Sequence, residues 1–139
     1  MNIGLLLYIP YRDLENRIMA AVTGAGFDVT LAQARVLQRI GPDGTRLTEL
    51  AEAAQVTKQT AGFLVDQLEK LGYVERVPDP TDGRARLVRV TEKAKGATPV
   101  AEAEIARIEA EWEQHIGKRR MAQLREALEK LGEITDPYR

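Results

Sequence analysis

The sequence contains no cysteine and one histidine, His115. The missing cysteines exclude disulfides, thiolate zinc sites and thiol redox sensing by this chain. A lone imidazole cannot build a metal site, so His115 reads as a surface or interface residue rather than a ligand or a catalyst. Aromatics are scarce, at 5%, and no glycine-rich phosphate loop is present. Catalysis needs a convergent nucleophile, base and orienter, or several metal ligands. None can be assembled here, so neither an enzyme nor a cofactor is expected. Near the N-terminus the apolar run "IGLLLYI" is short, lacks a basic leader and is soon followed by "YRDLENR". That fits neither a signal peptide nor a spanning helix, and a cytoplasmic protein without a membrane partner is expected.

An excess of one charge is also lacking, since the net charge is −1. What matters for a polyanionic partner is where the charge lies. Residues 56–95 hold eight Lys/Arg against six Asp/Glu, whereas residues 99–116 hold one Arg against five Glu. The run "AEAEIARIEAEWE" in the second stretch reads as a solvated helix face. What is present in quantity is material for a core: 44% of the 139 residues are hydrophobic, enough for one folded domain spanning 1–139.

Apolar residues at helical spacing outline the elements. Leu7, Tyr11, Leu14, Ile18 and Val22 predict a first helix stopped by Gly24 and Gly26. Pro10 either stands in its first turn or kinks a helix that starts earlier. Thr30 with Gln33 reads as a capping box opening a second helix through Leu31, Ala34, Leu37 and Ile40, closed by "GPDG". Thr48 is the expected cap of a third helix, "ELAEAAQ". Thr57 is that of a fourth, with Ala61, Leu64, Val65, Leu68 and Leu71 on one face and Gly72 at its end. Two short helices joined by so brief a turn, with Ala51 and Ala54 where backbones approach, match a helix-turn-helix.

"YVERV" and "ARLVRV" flank "PDPTDG", whose Asp82-Gly83 pair predicts the turn of a hairpin. Alternation along the second strand is imperfect, because Val88 and Val90 share parity with Arg84 and Arg86 while Leu87 lies opposite, so only the inner end is expected to pack and the outer end to project as a wing. Ala101, Ile105, Ile108, Trp112 and Ile116 then form a seam at coiled-coil spacing. Met121, Leu124, Leu128 and Leu131 repeat it in a last helix ending at Gly132. "LEKLG" occurs at 68–72 and 128–132 with different flanks, which reflects shared helix-ending chemistry. Apolar seams at both ends exceed what a chain of this size covers alone, and a second copy is the expected cover.

The candidate chemistry sits on the fourth helix and the wing. The former leaves Lys58, Gln59, Thr60 and Phe63 outward, just after Thr57. Gln pairs with adenine, Lys reaches guanine or phosphate, and Thr contacts base or backbone. A narrow minor groove concentrates negative potential where Arg84 can enter. Asp82 is expected to hold the Arg84 guanidinium, and Arg86, Arg76 and Arg89 are candidates for phosphates. Tyr8, Tyr11 and Trp112 are candidates to line an effector cleft, although aromatics at helical spacing more often pack.

Over nearly its whole length the sequence resembles the MarR family of winged-helix transcriptional regulators. The likeness rests on "LTELAEAAQVTKQTAGFLVDQLEKLGYVER", on "DPTDGRARLVRVTEKAK", and on the leading and closing helices. Its most specific part is Asp82-x-Arg84 before a strand ending in Thr91. The sequence departs from the family near "TEKAK", where glycine is frequent and this chain has Ala94, with Gly96 two residues on. The resemblance implies a mainly α fold with a small β-hairpin wing. A winged helix-turn-helix DNA-binding lobe would span about 30–95, and dimerisation helices about 3–23 and 97–133. It further implies a homodimer on a pseudopalindromic operator in double-stranded DNA. Members usually repress, and many release DNA when a small aromatic compound binds between the dimer helices and the lobe. The competing class is a winged-helix module that binds proteins without specific DNA binding, against which Lys58, Arg84 and Arg86 speak.

Overall fold

The computed structural model describes residues 1–138. In chain order its elements are α1 (Ile3–Gly24), α2 (Leu31–Leu37), α3 (Leu47–Ala54), α4 (Lys58–Lys70), β1 (Val74–Asp79), β2 (Asp82–Val90), α5 (Glu92–Lys95), α6 (Thr98–Ile116) and α7 (Lys118–Thr135). Two compact units result. One joins residues 1–25 to the chain from Pro99 onward, and the other is Gly26–Thr98.

In the Gly26–Thr98 unit, α4 supplies the centre. Its Ala61, Leu64, Val65 and Leu68 recur at helical spacing and all are buried, so this stripe requires neighbours. They are Val36 of α2, Leu50 of α3, Tyr73, Val74 of β1 and Val88 of β2. Side-chain caps fix where the helices begin. Thr30 and Gln33 form the expected capping box: Gln33 N donates to Thr30 Oγ1 at 3.2 Å and Thr30 N to Gln33 Oε1 at 3.0 Å. The buried Gln33 amide also donates to Gln67 Oε1 at 3.1 Å, tying α2 to α4. Helix α2 ends at Leu37 rather than reaching Ile40, which follows in a turn and packs on the core.

Thr57 caps α4 as expected, accepting from Thr60 N at 3.1 Å. Thr48 does not cap α3. That helix starts at Leu47 after Arg46, which makes no side-chain cap bond, so Thr48 lies inside its first turn. At the other end of α3, Gln55 adopts a left-handed conformation (φ 56°) and Val56 N donates to Ala51 O at 3.0 Å. This closure is the usual way to end a helix sharply, and it sets α4 off only three residues after α3.

Strands β1 and β2 form an antiparallel hairpin from Val74↔Val90 to Asp79↔Asp82. The turn is therefore Pro80-Thr81, and the expected Asp82-Gly83 turn is corrected, since both residues belong to β2. Proline presets the backbone of a turn's second residue, and Asp79 Oδ1 accepts from both Thr81 N and Thr81 Oγ1 at 2.8 Å. These local bonds outcompete the Asp-Gly preference. The inner end packs as expected: Val88 is buried and exchanges backbone hydrogen bonds with Thr45 at 2.8 and 2.9 Å. Gly44 permits that approach, because it adopts φ +97° and a Cβ there would lie 3.0 Å from Leu87 Cβ. Thr91 then caps the single turn α5 and donates to Gly72 O at 2.6 Å. Beside it, Lys93 Nζ donates to Leu71 O at 2.7 Å while lying 4.9 Å from the centre of the Tyr73 ring.

The other unit holds α1, α6 and α7. Helix α1 begins at Ile3, capped by Asn2, and runs through Pro10, which removes the hydrogen bond that the Leu6 carbonyl would accept. Ile108 and Val22 are buried, as is the carboxylate of Glu104. Arg17 of α1 faces Glu104 at 3.5 Å and also pairs with Glu111, which holds its guanidinium above its ordinary value. Glu104 Oε2 additionally accepts from Arg107 at 2.7 Å. Helix α7 runs on through Gly132 to Thr135, so the expected stop at Gly132 is corrected, since a single glycine only weakens a helix. Much of this unit's apolar surface is open: Ile3, Leu6, Tyr8, Leu128, Leu131 and Ile134 are exposed. No described helix is long and apolar enough to cross a membrane.

Candidate nucleic-acid interface

Both sets of residues singled out from the sequence belong to the Gly26–Thr98 unit. At the start of α4, Thr57, Lys58, Gln59 and Thr60 are exposed, and so is Phe63 one turn later. The Thr57 hydroxyl is engaged by the cap and by Thr60 Oγ1 at 2.9 Å. Burying Ala61, Leu64, Val65 and Leu68 turns these residues outward, so the outward face follows from the core. Farther along, Asp66 is drawn to Arg76 and Gln67 to Gln33.

The wing's arginines fall into two groups. Arg76 donates to Glu69 Oε1 at 2.8 Å and to Asp66 Oδ1 at 2.7 Å, so its charge is answered within the fold and it fastens β1 to α4. Arg89 is likewise held by Glu75 at 2.6 Å. Arg84 and Arg86, like Lys58, have no ion-pair partner among the described residues. Asp82 does not hold the Arg84 guanidinium as expected. It accepts instead from the Arg84 backbone N at 3.0 Å, and its other oxygen lies 4.0 Å from Arg46 Nη2. The wing tip is thereby fixed through its backbone, while the Arg84 side chain is exposed and has no ion-pair partner among the described residues.

What holds the wing is a pair the sequence reading missed. Arg46, just before α3, donates from Nε at 2.8 Å and Nη2 at 2.7 Å to Oδ2 of Asp79. The Thr81 backbone, the Thr81 hydroxyl and Arg46 together hold the buried Asp79 carboxyl down at about 2, against an ordinary 3.8. Arg46 is raised in turn. "DPT" carries a local signal, because Asp readily accepts from the residue two places on. Nothing in the sequence marks Arg46, 33 residues away. The start of α3, the start of α4 and β2 meet around a concavity of about 380 Å³, whose rim includes Arg46, Lys58, Arg76 and Arg86. Arg84 lies nearer the hairpin turn.

Of the aromatic candidates, Tyr11 and Trp112 line an apolar groove of about 1020 Å³ in the other unit, together with Leu7, Leu14, His115 and Leu124. Tyr8 is not on its lining. Its ring is exposed and lies 5.5 Å from the Arg12 guanidinium. Among the described residues, no group of His, Cys, Asp or Glu is placed to hold a metal ion.

A helix-turn-helix followed by a hairpin, with unpaired cations on both, defines a winged helix-turn-helix lobe. Residues 27–85 match the model of the MarR family. The chain is 33% identical over 94 residues to the uncharacterized HTH-type transcriptional regulator YfiV of Bacillus subtilis, covering 60% of this chain and 59% of YfiV. It is 31% identical over 72 residues to the HTH-type transcriptional regulator BilQ of Clostridioides difficile, covering 52% of this chain and 46% of BilQ. It thus spans about half to three fifths of these relatives. A crystal structure of MarR, 25% identical, superimposes with a TM-score of 0.77 over 96% of both chains. The Gly26–Thr98 unit thus resembles the MarR family of winged helix-turn-helix transcriptional regulators, and the chain shares the fold of MarR. Members of that family are transcriptional regulators and not enzymes.

Proposed function

We propose that the protein is a sequence-specific DNA-binding regulator, acting in the cytoplasm as a homodimeric repressor on a pseudopalindromic operator. The observation that carries this is the sorting of charge on the Gly26–Thr98 unit. Arg46, Arg76 and Arg89 are answered by carboxylates, while Lys58, Arg84 and Arg86 are exposed with no such partner among the described residues. Unpaired cations set at a helix start and a hairpin suit phosphates spaced along a duplex. In this proposal α4 enters the major groove, where Gln59, Lys58 and Thr60 meet base edges and Thr57 stands beside the backbone. Arg84 enters the adjacent minor groove and Arg86 meets phosphate. Arg76 acts by fixing β1 to α4, with Asp82 ordering the Arg84 backbone.

Dimerisation is supported by the exposed apolar residues of α1 and α7, which a second copy would cover. Release by a small aromatic compound is supported by the groove beside Trp112 and Tyr11. The test is selection from random duplexes with the purified protein. Enrichment of a two-fold consensus, its half-sites about 10 base pairs apart, is expected. No enrichment even in dilute salt would contradict DNA reading and favour a protein-binding module.

A further inference from the structure

Among the described residues of the Gly26–Thr98 unit, Phe63 is the single large apolar side chain left exposed, at 62%. It stands on the outward face of α4, one turn beyond Gln59 and Thr60, in the middle of a surface otherwise built from polar groups. Its other neighbour on that face, Asp66, has its charge answered by Arg76 at 2.7 Å, so no unanswered carboxylate beside the ring repels a polyanion. Gly62 adds no side chain next to it, and a Cβ there would point at Leu47 Cδ2 at 3.7 Å rather than outward. The ring is thus the most prominent apolar feature of the helix face.

Base edges in the major groove are hydrogen-bonding groups with one apolar exception, the C5 methyl of thymine. We infer that Phe63 reads a thymine methyl group in each half-site. The inference rests on the docking of α4 proposed above. Along a helix, Gln59 and Phe63 are about 6 Å apart, less than two base steps. The methyl therefore belongs within about two base pairs of the position read by Gln59, and a T contacted through its methyl accompanies an A contacted through N6 and N7.

The experiment takes the selected operator and replaces its thymines by deoxyuridine, one symmetric pair at a time, which deletes the methyl and leaves base pairing intact. Dissociation constants are measured by fluorescence anisotropy. One position is expected to weaken wild-type binding by about fourfold per half-site, the worth of one buried methyl group. Phe63→Ala, folded by circular dichroism, is expected to bind the thymine and deoxyuridine operators equally, and Phe63→Leu to keep part of the discrimination. The inference is overturned if no deoxyuridine position weakens wild-type binding, or if the penalty persists undiminished in Phe63→Ala. The first result, in a protein whose binding still falls with Arg84→Ala, removes the methyl contact and leaves the proposed function standing. A protein that selects no duplex removes both and makes Phe63 the centre of a protein-docking face.

Discussion

Arg84 and Arg86 differ from their neighbours in having no carboxylate to answer them among the described residues, and this separates wing residues available to a partner from those that build the wing. Replacing Arg84 with Ala is expected to weaken operator binding by about 1–3 kcal/mol, with the circular dichroism spectrum unchanged. Gel shift measures the first, and undiminished binding would remove the wing from the interface. Asp79 is the complementary case. Its carboxyl is depressed to about 2 from 3.8, so the ionised form stabilises the fold fully above the ordinary value and that stabilisation is lost as pH falls towards 2. The stability difference between wild type and Asp79→Asn, followed by urea unfolding, should therefore be constant from pH 5 to 8 and shrink between about pH 4 and 2. A difference that changed between pH 6 and 8 would assign the effect to another group. Sequence reasoning found the residues whose partners lie within a few positions, such as Thr30 with Gln33. It paired Asp82 with the wrong part of Arg84, because spacing does not say whether a backbone N–H or a side chain reaches the carboxylate first.

Helix α4 was legible at its start and along its buried stripe, because a cap and a period of 3.6 are both local properties. Replacing Thr57 with Ala should lower stability by about 1 kcal/mol and also disorder the turn that presents Lys58 and Gln59. Urea unfolding measures the first effect, and an unchanged midpoint would mean that the cap is dispensable. The hairpin was legible in its strands but not in its turn. Asp82-Gly83 carries the stronger generic preference, yet Pro80 and the bonds that Asp79 accepts from Thr81 and Arg46 place the reversal two residues earlier. The bonds from Thr81 are local; those from Arg46 join segments 33 residues apart and have no sequence period to reveal them. The same limit hid the start of α3, where Thr48 has the chemistry of a cap but Leu47 is already helical. In the last helix the glycine that reads as a stop in the sequence, Gly132, lies within the helical backbone.

At the scale of the whole molecule, exposed leucine, isoleucine and tyrosine side chains gather on α1 and α7, while the Gly26–Thr98 unit exposes Phe63 alone among its described large apolar residues. The proposed dimer follows from this asymmetry. Sedimentation at micromolar concentration should give twice the monomer mass, and the melting temperature should rise with protein concentration. Replacing Leu7 with Glu is expected to yield a monomer whose operator affinity falls by about a hundredfold or more, through loss of the second half-site. A wild-type monomer binding the full operator tightly would contradict that arrangement.

The central claim is that the cations of the Gly26–Thr98 unit without an ion-pair partner among the described residues are there to offset the phosphate charge of a duplex, Arg84 from the minor groove and Arg86 at the backbone. The most direct test is the slope of the logarithm of operator affinity against the logarithm of salt concentration, for wild type, Arg84→Ala and Arg86→Ala. Each substitution removes two charges from a dimer and should make the slope shallower by nearly two, at about 0.9 for every phosphate no longer neutralised. Slopes that stay the same in both variants would show that these arginines do not meet the duplex.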